Sequence, residues 1–427
     1  MKKLICIAFS AITLLANAAF AQPVEPIFSL AREHKAPLLK TLEELVNHES
    51  GSKDIEGLDK LAAYLAIRLK AIGGEVEVLE PKPEDIYKMH DTPPKIGKMV
   101  KAVFKGSQGA TGKKILLIAH MDTVYLKGML AQQPFRVEGN RAYGLGIVDD
   151  KGGVAVILHV MAMLQRANFK DYGQITVFIN GDEEISSPGS RAMLTQLGSE
   201  HDVVFSCEGT SATNDRLSLA TAGIGAVTLK VKGRASHAGS APHLGVNALY
   251  ELAHQIMQMR DLSKPAVGVK LNWTVAKAGS NRNVIPAEAE ANADVRVLRV
   301  EDYDGIEKEV AARIKNKLLP DSVVEMTFER RRPPLEPSDA GRRVGEHAKK
   351  VYKEIGKEIV VVETAEGGGT DAAFASLKAK GAVIERFGLA GFGAHSNDAE
   401  YILIDSIEPR LYLLARMVME IGTGKIQ

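Results

Sequence analysis

Side chains that could bind a metal ion or transfer a proton recur at the ends of short apolar runs in this sequence. Imidazole and carboxylate donors in combination suit zinc or a similar borderline divalent ion. Open α/β sheets bind ligands at the carboxyl ends of their strands, and three of these groups stand where such a sheet would present them. The candidate positions are His120, Asp149, Glu183, Glu184, Glu208 and His395.

Each of these patterns has an ordinary structural explanation when it is taken alone. Asp149-Asp150-Lys151-Gly152 before an apolar run is typical of a helix N-cap, and Glu183-Glu184 is typical of a solvated helix start. These explanations do not account for so many potential ligands lying at strand ends and beside glycines. The joint occurrence therefore favours a metal site. Spacing alone leaves open which of Asp149 and Asp150 would bind.

Alternating helix and strand patterns predict the sheet whose strand ends must position these residues. Apolar residues with three- and four-residue spacing predict two helices within residues 28–72, and a further helix follows Gly153. Short apolar runs predict strands at 75–79, 100–104, 115–120, 175–180 and 203–207. This order favours an α/β fold in which a mixed, largely buried sheet carries helices on both faces.

The pattern changes from about residue 226. Strands are predicted at 226–232, 271–277, 288–298 and 323–331, with helices at 246–262 and 301–318. This βαββαβ order is that of a ferredoxin-like α+β unit, which forms a domain of its own. Alternation resumes with helices at 340–355, 370–378 and 406–421 and strands at 359–363 and 382–387. We therefore predict one domain from residues 22–224 and 333–427, interrupted by an inserted domain at 225–332.

Composition and the first residues limit the possible classes of protein. The 427 residues carry 54 basic and 53 acidic side chains, which excludes a basic nucleic-acid footprint. Lys2 and Lys3 precede a short apolar run, and small residues precede Gln22, so residues 1–21 are predicted to be a cleavable signal peptide. We expect a periplasmic or secreted protein with no membrane contact after cleavage. Cys207 would then be the only cysteine left, and we expect it to be buried and to serve as a small apolar residue.

The motifs together resemble the M20 metallopeptidases, and within them the glutamate carboxypeptidase (carboxypeptidase G) branch. The resemblance covers almost the whole chain after residue 21. It rests on Ala119-His120-Met121-Asp122-Thr123-Val124, Tyr143-Gly144-Leu145-Gly146, Asp149-Asp150-Lys151-Gly152-Gly153, Asp182-Glu183-Glu184, Ala235-Ser236-His237-Ala238-Gly239, Asn283-Val284-Ile285-Pro286, Gly367-Gly368-Gly369-Thr370-Asp371-Ala372 and Gly393-Ala394-His395-Ser396.

The resemblance implies two zinc ions per subunit. His120 and Glu208 would bind one ion, Glu184 and His395 the other, and Asp149, rather than Asp150, would bridge them. A carboxylate can bridge because it has two oxygens.

By the same resemblance Glu183 would be the general base, and Asp122 would accept the ring N–H of His120. The resemblance also implies that the inserted domain is a lid that forms a homodimer.

Substrate contacts follow from the resemblance as well. His237, in the lid, would polarise the scissile carbonyl group, and we expect it to come from the partner subunit. Asn283 and Arg332 would hold the terminal carboxylate of the substrate, which a guanidinium group suits. Arg216 occupies a position where a lysine is expected, so the charge is kept but the side-chain specificity is open.

These expectations combine into one function: a zinc hydrolase that removes a C-terminal amino acid, expected to be glutamate, from N-acyl or peptidyl, folate-like substrates. One alternative keeps the site and changes the substrate, giving a dipeptidase or an N-acyl-amino-acid amidohydrolase. A desuccinylase of lysine biosynthesis fits less well, because it acts in the cytoplasm and this chain has a predicted export signal. The other alternative is a catalytically silent binding protein of the same fold, which would have lost Glu183 or several ligands; all of them are present.

Overall fold

The computed structural model describes residues 22–396 and 398–426. The predicted signal peptide, residues 1–21, lies outside the described residues. The α-helices are α1 (Ile27–Glu33), α2 (Lys35–Val46), α3 (Ile55–Ala71), α4 (Lys151–Arg166), α5 (Arg191–Glu200), α6 (Ala248–Gln258), α7 (Asp302–Arg313), α8 (Asp339–Lys353), α9 (Asp371–Ser376) and α10 (Ile407–Gly422).

The strands vary widely in length, from two residues to ten. They are β1 (Glu75–Leu79), β2 (Met99–Lys105), β3 (Lys114–His120), β4 (Arg136–Glu138), β5 (Arg141–Tyr143), β6 (Gln174–Asn180), β7 (Val203–Ser206), β8 (Thr210–Ser211), β9 (Arg216–Ser218), β10 (Gly223–Lys232), β11 (Lys270–Ala278), β12 (Glu288–Val297), β13 (Val323–Arg332), β14 (Val360–Val362), β15 (Ala382–Ile384), β16 (Ala390–Phe392) and β17 (Tyr401–Leu403).

A six-stranded central sheet has the order β1-β2-β6-β3-β7-β15. The pairs among β6, β3, β7 and β15 are parallel, whereas β1–β2 and β2–β6 are antiparallel. Along β3, Ile115 and Leu117 face the core formed with α2, α4 and α10, while Leu116 and Ile118 face α5 and α9. Both faces of the sheet are therefore covered, which explains the continuous apolar runs. The predicted α/β class with a mixed sheet is confirmed.

A separate four-stranded antiparallel sheet has the order β11-β12-β10-β13. Along β12, Ala289, Ala291 and Val295 alternate with polar residues and bury one face of the sheet under α6 and α7. The element order over these residues is the βαββαβ order that the sequence predicts. The domain boundaries at 225 and 332 stay predictions; β10 begins at Gly223 and β13 ends at Arg332.

A smaller, five-stranded sheet with the order β4-β5-β17-β16-β8 was not predicted from the sequence. Its strands have two or three residues each, which is too short for a periodic pattern to emerge. The strand predicted at 359–363 exists as β14, but it pairs with β9 in a two-stranded parallel sheet outside the central one.

Two further expectations concern membrane contact and the remaining cysteine. Within residues 22–396 and 398–426, no helix is both long and apolar enough to cross a bilayer. Cys207 is fully buried at the end of β7 with a free thiol, as a small apolar core residue would be.

Candidate active site

Three neighbouring strands of the central sheet deliver side chains to one edge. β3 ends at His120, β6 is followed by a short 3-10 turn that carries Glu183 and Glu184, and Glu208 lies two residues after β7. Because β6, β3 and β7 are adjacent and parallel, their carboxyl ends meet at the same edge. His120 is 1% exposed and Glu183 is 6% exposed, so these two side chains are largely shielded from water.

The N-terminus of α4 brings two aspartates to the same place. Asp150 is the N-cap: its Oδ1 accepts a hydrogen bond from the backbone N–H of Gly153 at 3.1 Å. A Cβ at Gly153 would lie 2.1 Å from the carbonyl oxygen of Cys207, so only glycine allows the helix to approach β7 this closely. The cap therefore occupies Asp150, while the preceding Asp149 faces the imidazoles.

Glu400, just before β17, holds the loop that carries Asp149. Its carboxylate accepts hydrogen bonds from the backbone N–H groups of Gly146, Val148 and Asp149 at 2.9, 2.8 and 3.1 Å, and from the hydroxyl of Tyr125 at 2.5 Å. It is 3% exposed, and burial raises its pKa to about 7. A single buried carboxylate thus fixes the backbone of this loop.

His395 reaches the site from the loop between β16 and β17. It has a φ of 63°, a left-handed conformation that is uncommon for a residue other than glycine and is found at functional sites. The Tyr125 hydroxyl also lies 2.8 Å from the backbone carbonyl of the next residue, Ser396, so its one hydrogen is shared between this oxygen and Glu400. Tyr125 therefore links the His395 loop to Glu400.

The five predicted metal ligands converge. His120 Nε2 lies 3.0 Å from Asp149 Oδ1 and 3.5 Å from Glu208 Oε1. His395 Nε2 lies 3.2 Å from both Asp149 Oδ2 and Glu184 Oε2. Each oxygen of Asp149 thus faces a different imidazole, which divides the donors into two groups that share this carboxylate.

The donor set fits divalent metal ions on two observations. Two imidazoles with three carboxylates are the ligand types that zinc prefers. The Oε1 of Glu184 is buried and, within the described part of the chain, has no hydrogen-bond partner, although its other oxygen contacts His395. A buried carboxylate oxygen without a donor is costly unless a cation meets it.

Electrostatics also indicate that this cluster needs positive charge. Burial raises the pKa of Glu184 to about 7 and raises the pKa of Glu208 well above its usual range. Burial also opposes ionisation of Asp149, but hydrogen bonds from His120 and His395 outweigh it and lower the pKa of this carboxyl group. The hydrogen bonds to Asp149 and Glu184 raise the pKa of His395 to about 10.

Asp122 makes more contacts than the sequence predicts. His120 Nδ1 lies 3.1 Å from the backbone carbonyl oxygen of Asp122 and 3.4 Å from its carboxylate. The carboxylate also accepts hydrogen bonds from the backbone N–H groups of Glu183 and Glu184 at 3.0 and 3.1 Å and from the hydroxyl of Ser52 at 2.8 Å. Asp122 therefore joins the end of β3 to the turn that carries both glutamates.

Arg332, the predicted carboxylate-binding residue, lines the cavity of the site and already contacts carboxylates of its own chain. It is 3% exposed; its guanidinium donates to the carboxylate of Glu183 and, at 2.6 Å, to the Glu183 backbone carbonyl. Asp371 lies 3.4 Å away on the same guanidinium. Burial raises the pKa of Glu183 well above its usual range despite this charge. Arg332 thus holds Glu183 in place.

A cavity of about 590 Å³ opens onto the cluster. Its lining includes Asp149, Glu183, Glu184, Glu208 and His395, four arginines and the glycine-rich segment at 368–370. Arg216 lines it and pairs with Glu366. Of the remaining predicted site residues, neither His237 nor Asn283 lines this cavity; both are exposed on the four-stranded unit, and Ala238 N donates to the Asn283 carbonyl at 2.9 Å.

Sequence reasoning missed several residues that the site depends on. Glu400 precedes a three-residue strand, and a carboxylate there resembles any solvated turn residue. Asp371 was noticed only as part of a motif, yet it is buried and accepts hydrogen bonds from Asn180 and Ser187. Arg386, with a φ of 73°, lines the cavity and donates to the Gly209 carbonyl at 3.2 Å. No local pattern distinguishes these residues from surface polar ones.

Comparisons with known proteins agree with this arrangement. Residues 116–420 match the peptidase family M20/M25/M40. Carboxypeptidase G2 of Pseudomonas sp. (strain RS-16) is 43% identical over 419 residues, which is 98% of this chain and 97% of that protein. A Haemophilus influenzae homolog of one p-aminobenzoyl-glutamate hydrolase subunit is 36% identical over 119 residues, covering 28% of this chain and 27% of that protein.

A solved structure shares the fold at lower identity. A tripeptidase of Staphylococcus aureus superimposes with a TM-score of 0.75 at 20% identity, over 91% of this chain and 98% of the other. At that identity the likeness concerns the fold.

Proposed function

The chain belongs to the peptidase family M20/M25/M40, and we propose that it is a di-zinc carboxypeptidase that releases C-terminal glutamate from N-acyl or peptidyl, folate-like substrates. The observation that carries this proposal is the shared carboxylate: the two oxygens of Asp149 face His120 and His395 at 3.0 and 3.2 Å. A silent binding protein of this fold would not need both donor groups together with Glu183.

The proposed ligand sets follow the two groups. His120 and Glu208 would hold one zinc ion, Glu184 and His395 the other, and Asp149 would bridge them. Asp150 offers an alternative carboxylate close to His120 and Glu208, but its oxygens accept hydrogen bonds from Gly153 and His120 backbone N–H groups. When bound, the metal pair supplies Lewis acidity and lowers the pKa of water towards neutrality.

Glu183 is the proposed general base. It would take a proton from the attacking water at its carboxylate and deliver it to the departing amide nitrogen. Arg332 and the Asp122 carboxylate fix its side chain and backbone from opposite directions. Its side chain lines the cavity, where the carboxyl group can accept a proton and then donate it within one catalytic cycle.

Specificity for glutamate is supported by the charge of the cavity. Arg216, Arg296, Arg332 and Arg386 line it. Arg386 is the one of the four that pairs with no carboxylate among the described residues, whereas Arg216 and Arg296 pair with Glu366 and Asp294. A C-terminal glutamate brings two carboxylates, and guanidinium groups are suited to bind them. The name of one relative, the homolog of a p-aminobenzoyl-glutamate hydrolase subunit, includes a substrate of this kind.

His237 and Asn283 are proposed to act from the partner subunit of a homodimer formed by the four-stranded unit, which would also be the lid. Nδ1 of His237 accepts hydrogen bonds from the backbone N–H groups of Gly239 and Ser240, both at 3.1 Å. The ring proton is therefore on Nε2, which can donate to the oxygen of a scissile carbonyl. Asn283 lies beside it and would contact the terminal carboxylate.

The proposed enzyme acts outside the cytoplasm. The predicted signal peptide at residues 1–21 would direct the protein to the periplasm or the medium, where folate-like compounds and short peptides would be its substrates.

A substrate panel tests the function. The C-terminal residue and the N-acyl group are varied separately, and rates are measured on the zinc-loaded protein. We expect acyl-glutamate to exceed acyl-glutamine and acyl-alanine by at least tenfold in kcat/KM, because the neutral side chains leave a guanidinium of the cavity unpaired. Cleavage of unacylated dipeptides in preference to every acyl-amino acid would overturn the carboxypeptidase assignment.

A further inference from the structure

Three aromatic rings and a guanidinium lie in register across four strands of the small sheet. Phe392 in β16 pairs with Tyr401 in β17, Tyr401 with Tyr143 in β5, and Tyr143 with Arg136 in β4. Residues paired in this way project from the same face of a sheet. We call these four residues the aromatic row.

The opposite face of the same sheet is buried at β16, β17 and β5 but not at β4, where Val137 is 48% exposed. Its row consists of Gly391, Ile402, Ala142 and Val137, and both Ile402 and Ala142 have no exposed surface. The small sheet therefore turns Ile402 and Ala142 to the core and its aromatic residues outward, with Phe392 exposed and Tyr143 and Tyr401 half-buried. The phenyl ring of Phe392 thus stays on the solvent side, against what burial of apolar area favours.

The rings contact one another and are supported by cations. The centroids of Phe392 and Tyr401 are 6.3 Å apart, and those of Tyr401 and Tyr143 are 5.5 Å apart. The guanidinium of Arg136 lies over Tyr143 at 4.0 Å and that of Arg141 over Tyr401 at 4.4 Å. Arginine stacking fixes the outer rings without covering Phe392, whose side chain is left free at the inner end of the row.

Phe392 joins the row to the catalytic cavity. It is 65% exposed, it lines the cavity that opens onto the cluster, and it precedes His395 by three residues. Three strand spacings separate it from Arg136, so the row extends about 14 Å away from the cavity. An exposed phenylalanine at the edge of a polar, arginine-lined cavity indicates contact with an apolar part of the ligand.

We propose that the aromatic row, with Phe392 as its first contact, binds the acyl side of the substrate and selects extended aromatic acyl groups. This inference rests on the proposed function, because it assigns the acyl half of a substrate whose glutamate half occupies the arginine-lined cavity. A flat aromatic acyl group stacks on Phe392 and extends along the row towards Arg141 and Arg136, whose guanidinium groups lie over the rings of Tyr401 and Tyr143. A small acyl group such as acetyl ends before it reaches the row.

The test compares two substrates in one variant. In Phe392→Ala we expect kcat/KM for N-(4-aminobenzoyl)-glutamate to fall about tenfold, mainly through KM, because a stacking contact is lost. For N-acetyl-glutamate the fall should be no more than twofold. Phe392→Tyr keeps the ring and should restore kcat/KM for the aromatic substrate. Val137→Ala, in the same sheet on the opposite face, is the matched control and should change neither rate.

Equal losses for both substrates in Phe392→Ala would mean that Phe392 supports the His395 loop, and would overturn the inference; so would no loss for either. A second readout does not depend on turnover: equilibrium binding of 4-aminobenzoate, which we expect to weaken severalfold in Phe392→Ala and to be kept in Phe392→Tyr. If the wild-type protein hydrolyses no acyl-glutamate but still binds 4-aminobenzoate through Phe392, the proposed function fails and the aromatic site stands.

Discussion

Two sheets meet at the catalytic centre, and they fix their contributions in different ways. The central sheet presents His120 and Glu208 at the ends of β3 and β7. These strands are covered on both faces, so their packing determines where the edge lies, and Asp122 adds hydrogen bonds to the neighbouring turn. The small sheet presents His395 from strands of three residues, and its geometry depends on a few hydrogen bonds to Glu400 and from Tyr125. The same ligand cluster is thus held mainly by packed strands on one side and mainly by the Glu400 carboxylate on the other.

This difference predicts which substitutions act on chemistry and which act on the assembly of the site. Residues at the central edge can be changed without moving their backbone, because the strands are held elsewhere. A residue beside the small sheet that accepts several backbone N–H groups, such as Glu400, cannot be changed without moving that backbone.

The largest effect is expected at the central edge, for Glu183→Gln. The amide cannot take a proton from water, so kcat should fall by about a thousandfold. Zinc content should stay near that of the wild-type protein, because Glu183 lies outside the proposed ligand sets and its turn is held by Asp122. Turnover assays together with elemental analysis measure both quantities. The control is Glu184→Gln, which should lose bound metal; activity retained in Glu183→Gln would remove the proposed base.

A smaller but broader effect is expected in the small sheet, for Glu400→Gln. An amide accepts fewer and weaker hydrogen bonds than a carboxylate, so the loop from Gly146 to Asp149 should loosen and metal affinity should fall about 10- to 100-fold. Competition with a chelator measures this affinity. Asp405→Asn removes an exposed carboxylate just after β17 and should have no effect. Unchanged affinity in Glu400→Gln would show that packing, not hydrogen bonding, holds both sides of the site.

The smallest effect is expected away from both sheet edges, on α4. His159 is 6% exposed, with His34 and Thr41 at 2.9 Å, and burial, with the neighbouring charges of His34 and Arg68, lowers its pKa to about 3. Below pH 6.5 the unfolded chain binds a proton here that the folded chain does not, so stability falls as the pH falls from 6.5 towards 3. From pH 7 to pH 5 this contributes about 2 kcal/mol to the loss of unfolding free energy.

Urea unfolding of the metal-free protein at the two pH values measures this contribution, with His159→Gln as the comparison. The variant should lose less stability on acidification than the wild-type protein. An equal loss in both would mean that other groups cause the pH dependence.

The same division explains what could be derived from the sequence. His120 and Glu208 follow long apolar runs, so the end of each strand was predicted to within a residue or two, and the parallel arrangement then brought the two together. Asp149 precedes a glycine-rich helix start that Asp150 caps. Buried strands and capped helices leave strong local patterns, which located these positions, although the choice of Asp149 over Asp150 came from the resemblance.

The small sheet left no such pattern. Strands of two or three residues carry no periodicity, so neither the sheet nor the role of Glu400 could be predicted, and His395 was placed by resemblance and not by its strand. The contact of Arg332 with Glu183 joins residues 149 positions apart, and its guanidinium could not be distinguished from a solvated charge run. His237 and Asn283 lie away from the cavity of their own chain, which local sequence does not reveal.

The central claim is that these donors hold a pair of metal ions on which hydrolysis depends. The most direct measurement is a zinc titration of chelated, metal-free protein, in which bound metal and turnover of an acyl-glutamate are followed in the same samples. We predict two equivalents bound per chain, no turnover without metal, and recovery as the sites fill. Full turnover by the metal-free protein would contradict the account. So would recovery of full turnover without any zinc bound at His120 and His395.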